Sequence, residues 1–360
     1  MEIAFKKLFI PGPTMVHPDV LAKMSTPMMS HRSKDASALQ REISDKLRQL
    51  MFTRNRIVLS TSSGTGLMEG AIRSMTRKRA IVFAVGAFGK RWHELAVLNG
   101  IDADLHLEES GNPTLPETVD RYLKSGKYDV ATVTHNETST GIMNPVEAIS
   151  EVMSKYPDVV WMVDTVSSLG GAKIEVDRNG IDVCISSSQK ALALPPGLAL
   201  ASVSEKAVAR CKEIGQRGYY LDIGNLVKYV DEKDHQYACT PSLSHMFAMD
   251  YQLDRIIKEG IESRFIRHME MAEFMINWAS HFFETYPMPG FESLTVTCIR
   301  NTRKVDVKHL NEELGKRGMQ LSNGYGDLKD LTFRVAHMGE LTLDDMAEVT
   351  QAMEEILGLQ

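Results

Sequence analysis

Between residues 57 and 205, short runs of Val, Ile and Leu alternate with longer stretches of helical period. The runs at 57–60, 80–84, 130–134, 159–163, 183–186 and 198–203 are nearly continuous in apolar character. Such runs suit strands buried on both faces, not strands with one wet side. A helix is expected from the first run through Met75, and another over 89–99. Strands alternating with helices predict a mostly parallel sheet joined by right-handed crossovers.

The pattern then changes. From 241 to 284 it predicts two long helices with a break near Gly260. After Pro287-Met288-Pro289-Gly290 it predicts a smaller α+β unit: a strand at 294–299, a helix at 307–317, a strand at 331–335 and a final helix at 341–357. The expected division is a large domain over 21–260 and a small one over 261–360. Residues 1–20 are expected to belong with the small domain or to cross the mouth of the active site. No internal repeat or low-complexity stretch interrupts this plan.

Composition narrows the field. The chain has 360 residues, 43% hydrophobic and 24% charged, with a formal net charge of -6. That is globular composition without the basic footprint of a nucleic-acid binder. The longest basic cluster, Arg77-Lys78-Arg79, reads as a turn. Cys184, Cys211, Cys239 and Cys298 make no C-x-x-C pair, so neither a metal site nor a redox motif is expected. No apolar run approaches the ~18 residues that span a bilayer. The opening Met1-Glu2-Ile3 lacks a signal-peptide pattern. A soluble, cytoplasmic protein without membrane or nucleic-acid partners is expected.

Ligands of open α/β sheets bind beyond the carboxyl ends of the strands. The polar residues after each run therefore matter most. Ser62-Ser63-Gly64-Thr65-Gly66 is either a small-residue turn or an anion cradle at a helix N-terminus. It is not the dinucleotide fingerprint, because Glu69 stands where a third glycine would be. It is not a P-loop either, since no Gly-Lys-Ser/Thr follows. Gly86-Ala87-Phe88-Gly89 offers an aromatic that either packs in the core or lies on a flat ligand. His135-Asn136-Glu137-Thr138-Ser139-Thr140-Gly141 is a polar run that either caps a helix or binds a ligand.

Asp164 follows Val159-Val160-Trp161-Met162-Val163. An acid at the end of a buried strand is costly unless a cation or helix terminus meets it. A protonated pyridine nitrogen would serve. At about 4 Å and an effective dielectric near 20, such a pair is worth roughly 4 kcal/mol. That is about three decades of protonation equilibrium. Ser186-Ser187-Ser188-Gln189-Lys190 ends in a lysine followed by an uncharged stretch, 191–197. Desolvation there would lower the amine's pKa and free it for Schiff-base chemistry. In isolation a snorkelling surface lysine reads as well.

In this order, these sites resemble the fold-type I pyridoxal-phosphate (PLP) enzymes. More closely, the chain resembles the class V aminotransferases of the alanine–glyoxylate and serine–glyoxylate (serine–pyruvate) family. The anchors run nearly end to end: Pro11-Gly12-Pro13-Thr14, His31-Arg32-Ser33, Ser63-Gly64-Thr65, the run from His135 to Gly141, Asp164-Thr165-Val166-Ser167-Ser168-Leu169-Gly170-Gly171, Ser188-Gln189-Lys190-Ala191, Pro195-Pro196-Gly197, Tyr220-Leu221-Asp222-Ile223 and Phe333-Arg334-Val335. The resemblance implies an α/β fold: a large domain with a mostly parallel, seven-stranded-type sheet flanked by helices, plus a small α+β C-terminal domain.

It also implies roles. Lys190 would carry the cofactor and shuttle the substrate proton, and Asp164 would keep the ring nitrogen protonated. Phe88, where a close relative has tryptophan, and Val166 would cover the two ring faces. Thr138 would bond the ring hydroxyl. Ser63, Gly64, Thr65 and Gln189 would hold the phosphate; some relatives carry histidine in place of Thr65. Tyr237 and Thr240 match positions that reach the phosphate from a neighbouring subunit, implying a homodimer with shared active sites. Arg334 would clamp the substrate carboxylate, helped by the backbone of Gly12; a strand-end salt bridge is its alternative reading.

The implied reaction is a ping-pong transfer of an amino group from alanine or serine to glyoxylate or pyruvate. Three rivals remain: a 2-aminoethylphosphonate–pyruvate aminotransferase, a cysteine desulfurase-like lyase and a non-catalytic binding protein on the same scaffold. The second needs a nucleophilic cysteine on a loop before the last strand, and 321–331 contains none. The third should have lost Lys190 or Asp164, and both are present.

Overall fold

The computed structural model describes residues 6–359. The expectation for residues 1–5 lies outside the described residues. Two sheets organise the chain. The larger has seven strands in the spatial order Arg56–Ser60, Ala199–Val203, Val183–Ser187, Val160–Asp164, Val130–Thr134, Ala80–Ala84, Ala103–Leu107. Only Ala199–Val203 runs antiparallel to its neighbours. The other pairings are parallel. Five of the strands are buried at every position. Their unbroken apolar character follows, because helices cover both sides of the sheet. This is the mostly parallel α/β architecture that the sequence pattern predicts.

The smaller sheet has five strands in the order Lys7–Phe9, Met319–Asn323, Thr332–Ala336, Val296–Arg300, Glu284–Thr285. Lys7–Phe9 joins it in parallel with Met319–Asn323, so the N-terminal strand is paired with the last third of the chain. The next residues, Pro11 to Thr14, run from this sheet to Lys190 of the large one. Two hydrophobic cores fill the space on either side of the large sheet, and a third lies under the small one. Among the described residues no helix is long and apolar enough to cross a membrane.

Several elements escape the periodicity reading for physical reasons. Ala103–Leu107 is an edge strand with half-exposed, alternating residues, so it never forms an apolar run. Met319–Asn323 buries only Met319 and Leu321. Lys34–Met51 is a strongly amphipathic helix of 18 residues, capped by Ser33. Its charged outer face hides a buried stripe that includes Ile43, Leu47 and Leu50. Asp164 proves to be the last residue of its strand, in register with Thr134, and does not stand beyond it. The Arg77-Lys78-Arg79 turn is fixed by Asp129, whose carboxylate accepts all three backbone N–H groups.

A buried arginine ties the site loops together. Arg264, on the helix Ile261–Phe282, is 1% exposed. It donates to the carbonyls of Gly170 at 2.9 Å, Ala191 at 2.8 Å and Gly339 at 3.1 Å. Its charge is met by Glu259 at 2.6 Å and Glu340 at 3.7 Å. Ala191 is the neighbour of Lys190, so this one guanidinium connects the lysine loop to the segment after Thr332–Ala336. Its removal leaves three carbonyls and two partly buried carboxylates short of a donor. We expect Arg264→Met to lower unfolding stability by roughly 2–4 kcal/mol, and Glu340→Gln by clearly less, since Glu259 still balances the charge. Urea denaturation of the two variants checks the ranking.

Candidate active site

The parallel strands end on one rim, and the cavity there is lined by Gly64, Phe88, Thr138, Asp164, Gln189 and Lys190, among others. They come from five different strand ends, Gln189 and Lys190 sharing one, which is how one sheet assembles residues distant in sequence.

Asp164 is 4% exposed. One of its oxygens accepts the Val166 N–H at 2.8 Å. Burial is the main cause of a carboxyl pKa raised to about 7, with the nearby Glu137 adding to it and Val166, Lys190 and Arg91 opposing. No cation among the described residues is bonded to it. Lys190 is the opposite case: burial, then the charge of Arg334, lowers its amine to about 8. Its Nζ donates to the Pro11 carbonyl. Thr14 holds the same stretch of backbone, its N–H donating to Gln189 O at 3.1 Å and its Oγ1 to Lys190 O at 2.9 Å. Gly12 is required here: at φ +111°, a Cβ would lie 2.6 Å from Lys190 Cδ. The Gly12 N–H itself donates to Ile10 O at 2.8 Å.

The small-residue turn opens the helix Gly64–Met75, with Ser63 at its N-cap. Ser63 makes no side-chain capping bond, so its side chain leaves uncapped the first turn of Gly64 and Thr65, both of which line the cavity. A Cβ on Gly64 would meet Val166 Cγ2 at 2.6 Å. Ser187 Oγ is buried on the same wall and has no hydrogen-bond partner.

Phe88 lies in the first turn of the helix Ala87–Leu98. Glu137 fixes that turn: one carboxylate oxygen accepts from Phe88 N at 2.9 Å and Gly89 N at 2.8 Å. Its other oxygen accepts from Ser139 N at 3.0 Å and Ser139 Oγ at 2.6 Å. Thr138 is thereby held between two anchored residues. Its carbonyl accepts from Arg334 Nη1 at 2.9 Å. Arg334 otherwise donates to Asn323 O, through Nε at 3.1 Å and Nη2 at 3.0 Å. Its contacts are thus carbonyls. Among the described residues no carboxylate pairs with it, so the salt-bridge reading of Arg334 is replaced by an uncompensated, largely buried cation.

Four expected residues do not line this cavity: Gly12 and Arg334 border it through Lys190 and Thr138, while Tyr237 and Thr240, expected to serve a neighbouring subunit, lie elsewhere. Tyr237 is buried in its own chain, donating to Met246 Sδ at 3.1 Å. Thr240 is exposed and lines a separate recess with Thr61 and Tyr220. Five cavity residues were given no site role from the sequence: Met68, Arg91, Asn136, Ser167 and Ser187. Arg91 was findable, since it stands three places after Phe88 on a helix and shares its side. Asn136 and Ser187 lie inside polar runs already flagged. His135 is excluded from acid–base duty, because burial lowers its pKa to about 4 and it bonds Ser168. Cys298 is buried and its thiol is pushed up to about 11, which makes it a poor nucleophile. Among the described residues no cluster could hold a metal ion.

The donor set fits a ligand with a cationic ring atom over Asp164, an anionic end at the helix N-terminus and a carbonyl within reach of Lys190. The orphaned Ser187 hydroxyl and the clearance at Gly64 belong to the same fit.

Comparison with known proteins agrees. The family model "Aminotransferase class-V" matches residues 8–326. An uncharacterized aminotransferase of Methanocaldococcus jannaschii is 37% identical over 98% of this chain and 93% of its own length. The serine–glyoxylate aminotransferase of Methylorubrum extorquens is 28% identical over 93% of this chain and 86% of its own. The crystal structure of an alanine–glyoxylate aminotransferase from Nostoc sp. superposes with a TM-score of 0.92 at 26% identity, covering 99% of this chain and 96% of that one.

Asp164 also sets a pH dependence. In the unfolded chain its carboxyl ionises near the usual value of 3.8; in the folded, cofactor-free protein it keeps its proton until about 7. The folded state therefore binds more protons between those values, and stability falls as pH rises through that window. Asp164→Asn does not titrate. Its stability relative to the parent should rise by roughly 2–3 kcal/mol from pH 5 to pH 7 and then level off. Urea unfolding of both proteins, freed of cofactor, measures this. A difference independent of pH would mean that Asp164 is ionised in the fold.

Proposed function

The chain belongs to the class-V aminotransferases, and on that premise we propose that it moves an amino group from alanine or serine to glyoxylate or pyruvate. Its cofactor is pyridoxal phosphate, which when bound supplies an electron sink for the bond broken at the substrate Cα. The observation that carries the reading is the pairing of a buried, cation-deficient Asp164 with a depressed Lys190 amine in one cavity.

Lys190 is the covalent anchor and the proton carrier. An amine titrating at about 8 keeps a neutral fraction near physiological pH, enough to take the Cα proton and return it. Asp164 holds the ring nitrogen protonated. Phe88 and Val166 bound the ring faces, and Thr138 meets its hydroxyl. Ser63, Gly64, Thr65 and Gln189 hold the phosphate end, where the helix Gly64–Met75 presents its free N–H groups. Arg334 takes the substrate carboxylate: its fork is already aimed by Thr138 O and Asn323 O, and its charge is otherwise unmatched. With its N–H given to Ile10, Gly12 serves chiefly as clearance for Lys190. The strap from Pro11 to Thr14 excludes water from that side.

The same reading divides the chain into residues 1–20 at the mouth, a large unit over 21–260 and a small one over 261–360. It also makes the working form a homodimer in the cytoplasm. Exposed Tyr219 and Tyr220, beside Thr240, support a subunit contact there. Four free cysteines suit a reducing compartment. A desulfurase-like lyase is disfavoured, because Cys298 is buried with a raised pKa.

The test is spectroscopic. Addition of L-alanine or L-serine to the holoenzyme should convert the visible cofactor band to the pyridoxamine form. 2-Aminoethylphosphonate should leave it unchanged; the reverse would establish the phosphonate reading. Lys190→Ala should lose the borohydride-reducible link between protein and cofactor. Arg334→Lys should lower kcat/KM for alanine about 10–100-fold, carried mostly by KM.

A further inference from the structure

A second positive charge at the site, besides that of Arg334, has no carboxylate counterpart among the described residues. Arg91 stands one turn beyond Phe88 on the helix Ala87–Leu98 and lines the cavity with it. Its guanidinium lies 4.8 Å from the centroid of the Phe88 ring. Its Nη1 is 3.5 Å from Thr65 Oγ1. Among the described residues no carboxylate forms an ion pair with it. Asp164, on the same cavity wall, feels its charge but makes no bond with it, and Glu137 is taken up by the backbone of Phe88, Gly89 and Ser139.

Independent features point to the same end of the cavity. Ser187 Oγ is fully buried and unpartnered, and a Cβ built on Gly64 would lie 3.5 Å from it. The helix that begins at Gly64 has no side-chain cap. First-turn N–H groups, two hydroxyls and an unpaired guanidinium thus converge. One carboxylate would leave most of these donors unused, whereas a phosphate monoester offers three acceptor oxygens. Charge decides further. A phosphate ester carries about -1.5 to -2 at neutral pH, and a helix N-terminus offsets only about half a charge. The residues already assigned to the phosphate are neutral, so at least one full positive charge is wanting.

Resting on the function proposed above, we infer that Arg91 binds the phosphate group of the cofactor, together with Thr65 and Ser187. Its stacking on Phe88 holds the planar fork in place, so the residue that covers the ring also positions the residue that neutralises its tail. Arg334 stands elsewhere, bonded to Thr138 O and Asn323 O and absent from the lining that Arg91 shares with Gly64, Thr65 and Ser187.

The test compares pyridoxal phosphate with pyridoxal, each titrated into cofactor-free protein while the Lys190-linked chromophore is followed. Both attach through the same amine, so their ratio isolates the phosphate. Arg91→Gln should raise the apparent Kd for pyridoxal phosphate about tenfold or more and change that for pyridoxal by less than about twofold. Should that variant not fold, Arg91→Met gives the same readout, because it keeps an unbranched stem beside Phe88 and removes the charge. Unchanged affinity for pyridoxal phosphate would overturn the assignment. An equal loss for both compounds would overturn it too, since Arg91 would then only prop Phe88. If the parent protein forms a chromophore with neither compound, the proposed function fails and this inference with it.

Discussion

A carboxyl group buried at the end of a central strand is stable as an anion only if a cation reaches it. Asp164 is such a group, and the fold supplies it with one backbone N–H and no bonded cation. The missing charge must come from a ligand, and a protonated ring nitrogen has the right sign, shape and reach. Most of the site follows from that constraint. On the function proposed, the ring nitrogen would meet Asp164 with Phe88 and Val166 on its two faces, its far end would lie toward the helix Gly64–Met75, and its carbonyl would be within range of Lys190.

The surrounding structure spends its buried polar groups on holding this arrangement still. Glu137 is a fully buried acid whose burial raises its pKa, yet it satisfies four donors across two loops. Those loops carry Phe88 and Thr138. Arg264 does the same for the backbone beside Lys190. Thr14 and Pro11 reach across from the small sheet to the same lysine. In each case a costly buried group is kept because it fixes one specific contact, as expected of a preorganised site.

The chain's own pattern reveals much of this and conceals the rest for definable reasons. The central strands are legible because burial on both faces leaves an unbroken apolar run. Ala103–Leu107 is not, because an edge strand alternates and half its residues meet solvent. Asp164 and Lys190 stand out as charges in apolar sequence, and position after a strand makes them informative. Arg91 and Ser187 do not stand out: an arginine in a helix and a serine in a serine run are ordinary until it is seen that, among the described residues, no carboxylate pairs with the first and no group bonds the hydroxyl of the second. Partner absence is a three-dimensional property. The same holds for Tyr237, whose motif matches a position that faces a neighbour, while its hydroxyl is turned inward to Met246.

The charges around the cavity form a consistent ledger. Lys190, Arg91 and Arg334 bring three cationic groups, and Asp164 and Glu137 two acids. Glu137 is saturated by backbone and hydroxyl donors and can accept little more. Asp164 has one backbone N–H and, among the described residues, no bonded cation. Lys190 is depressed and partly neutral. That leaves Arg91 and Arg334 as two uncompensated guanidiniums, too far apart in their bonding to share one anion: one contacts Thr65 at the helix end, the other Asn323 and Thr138 beside the small sheet. A cavity so charged is best neutralised by a ligand assembly with two separate anionic ends and one cationic ring. A phosphorylated pyridine cofactor carrying an amino acid has that composition, and neither component alone has it.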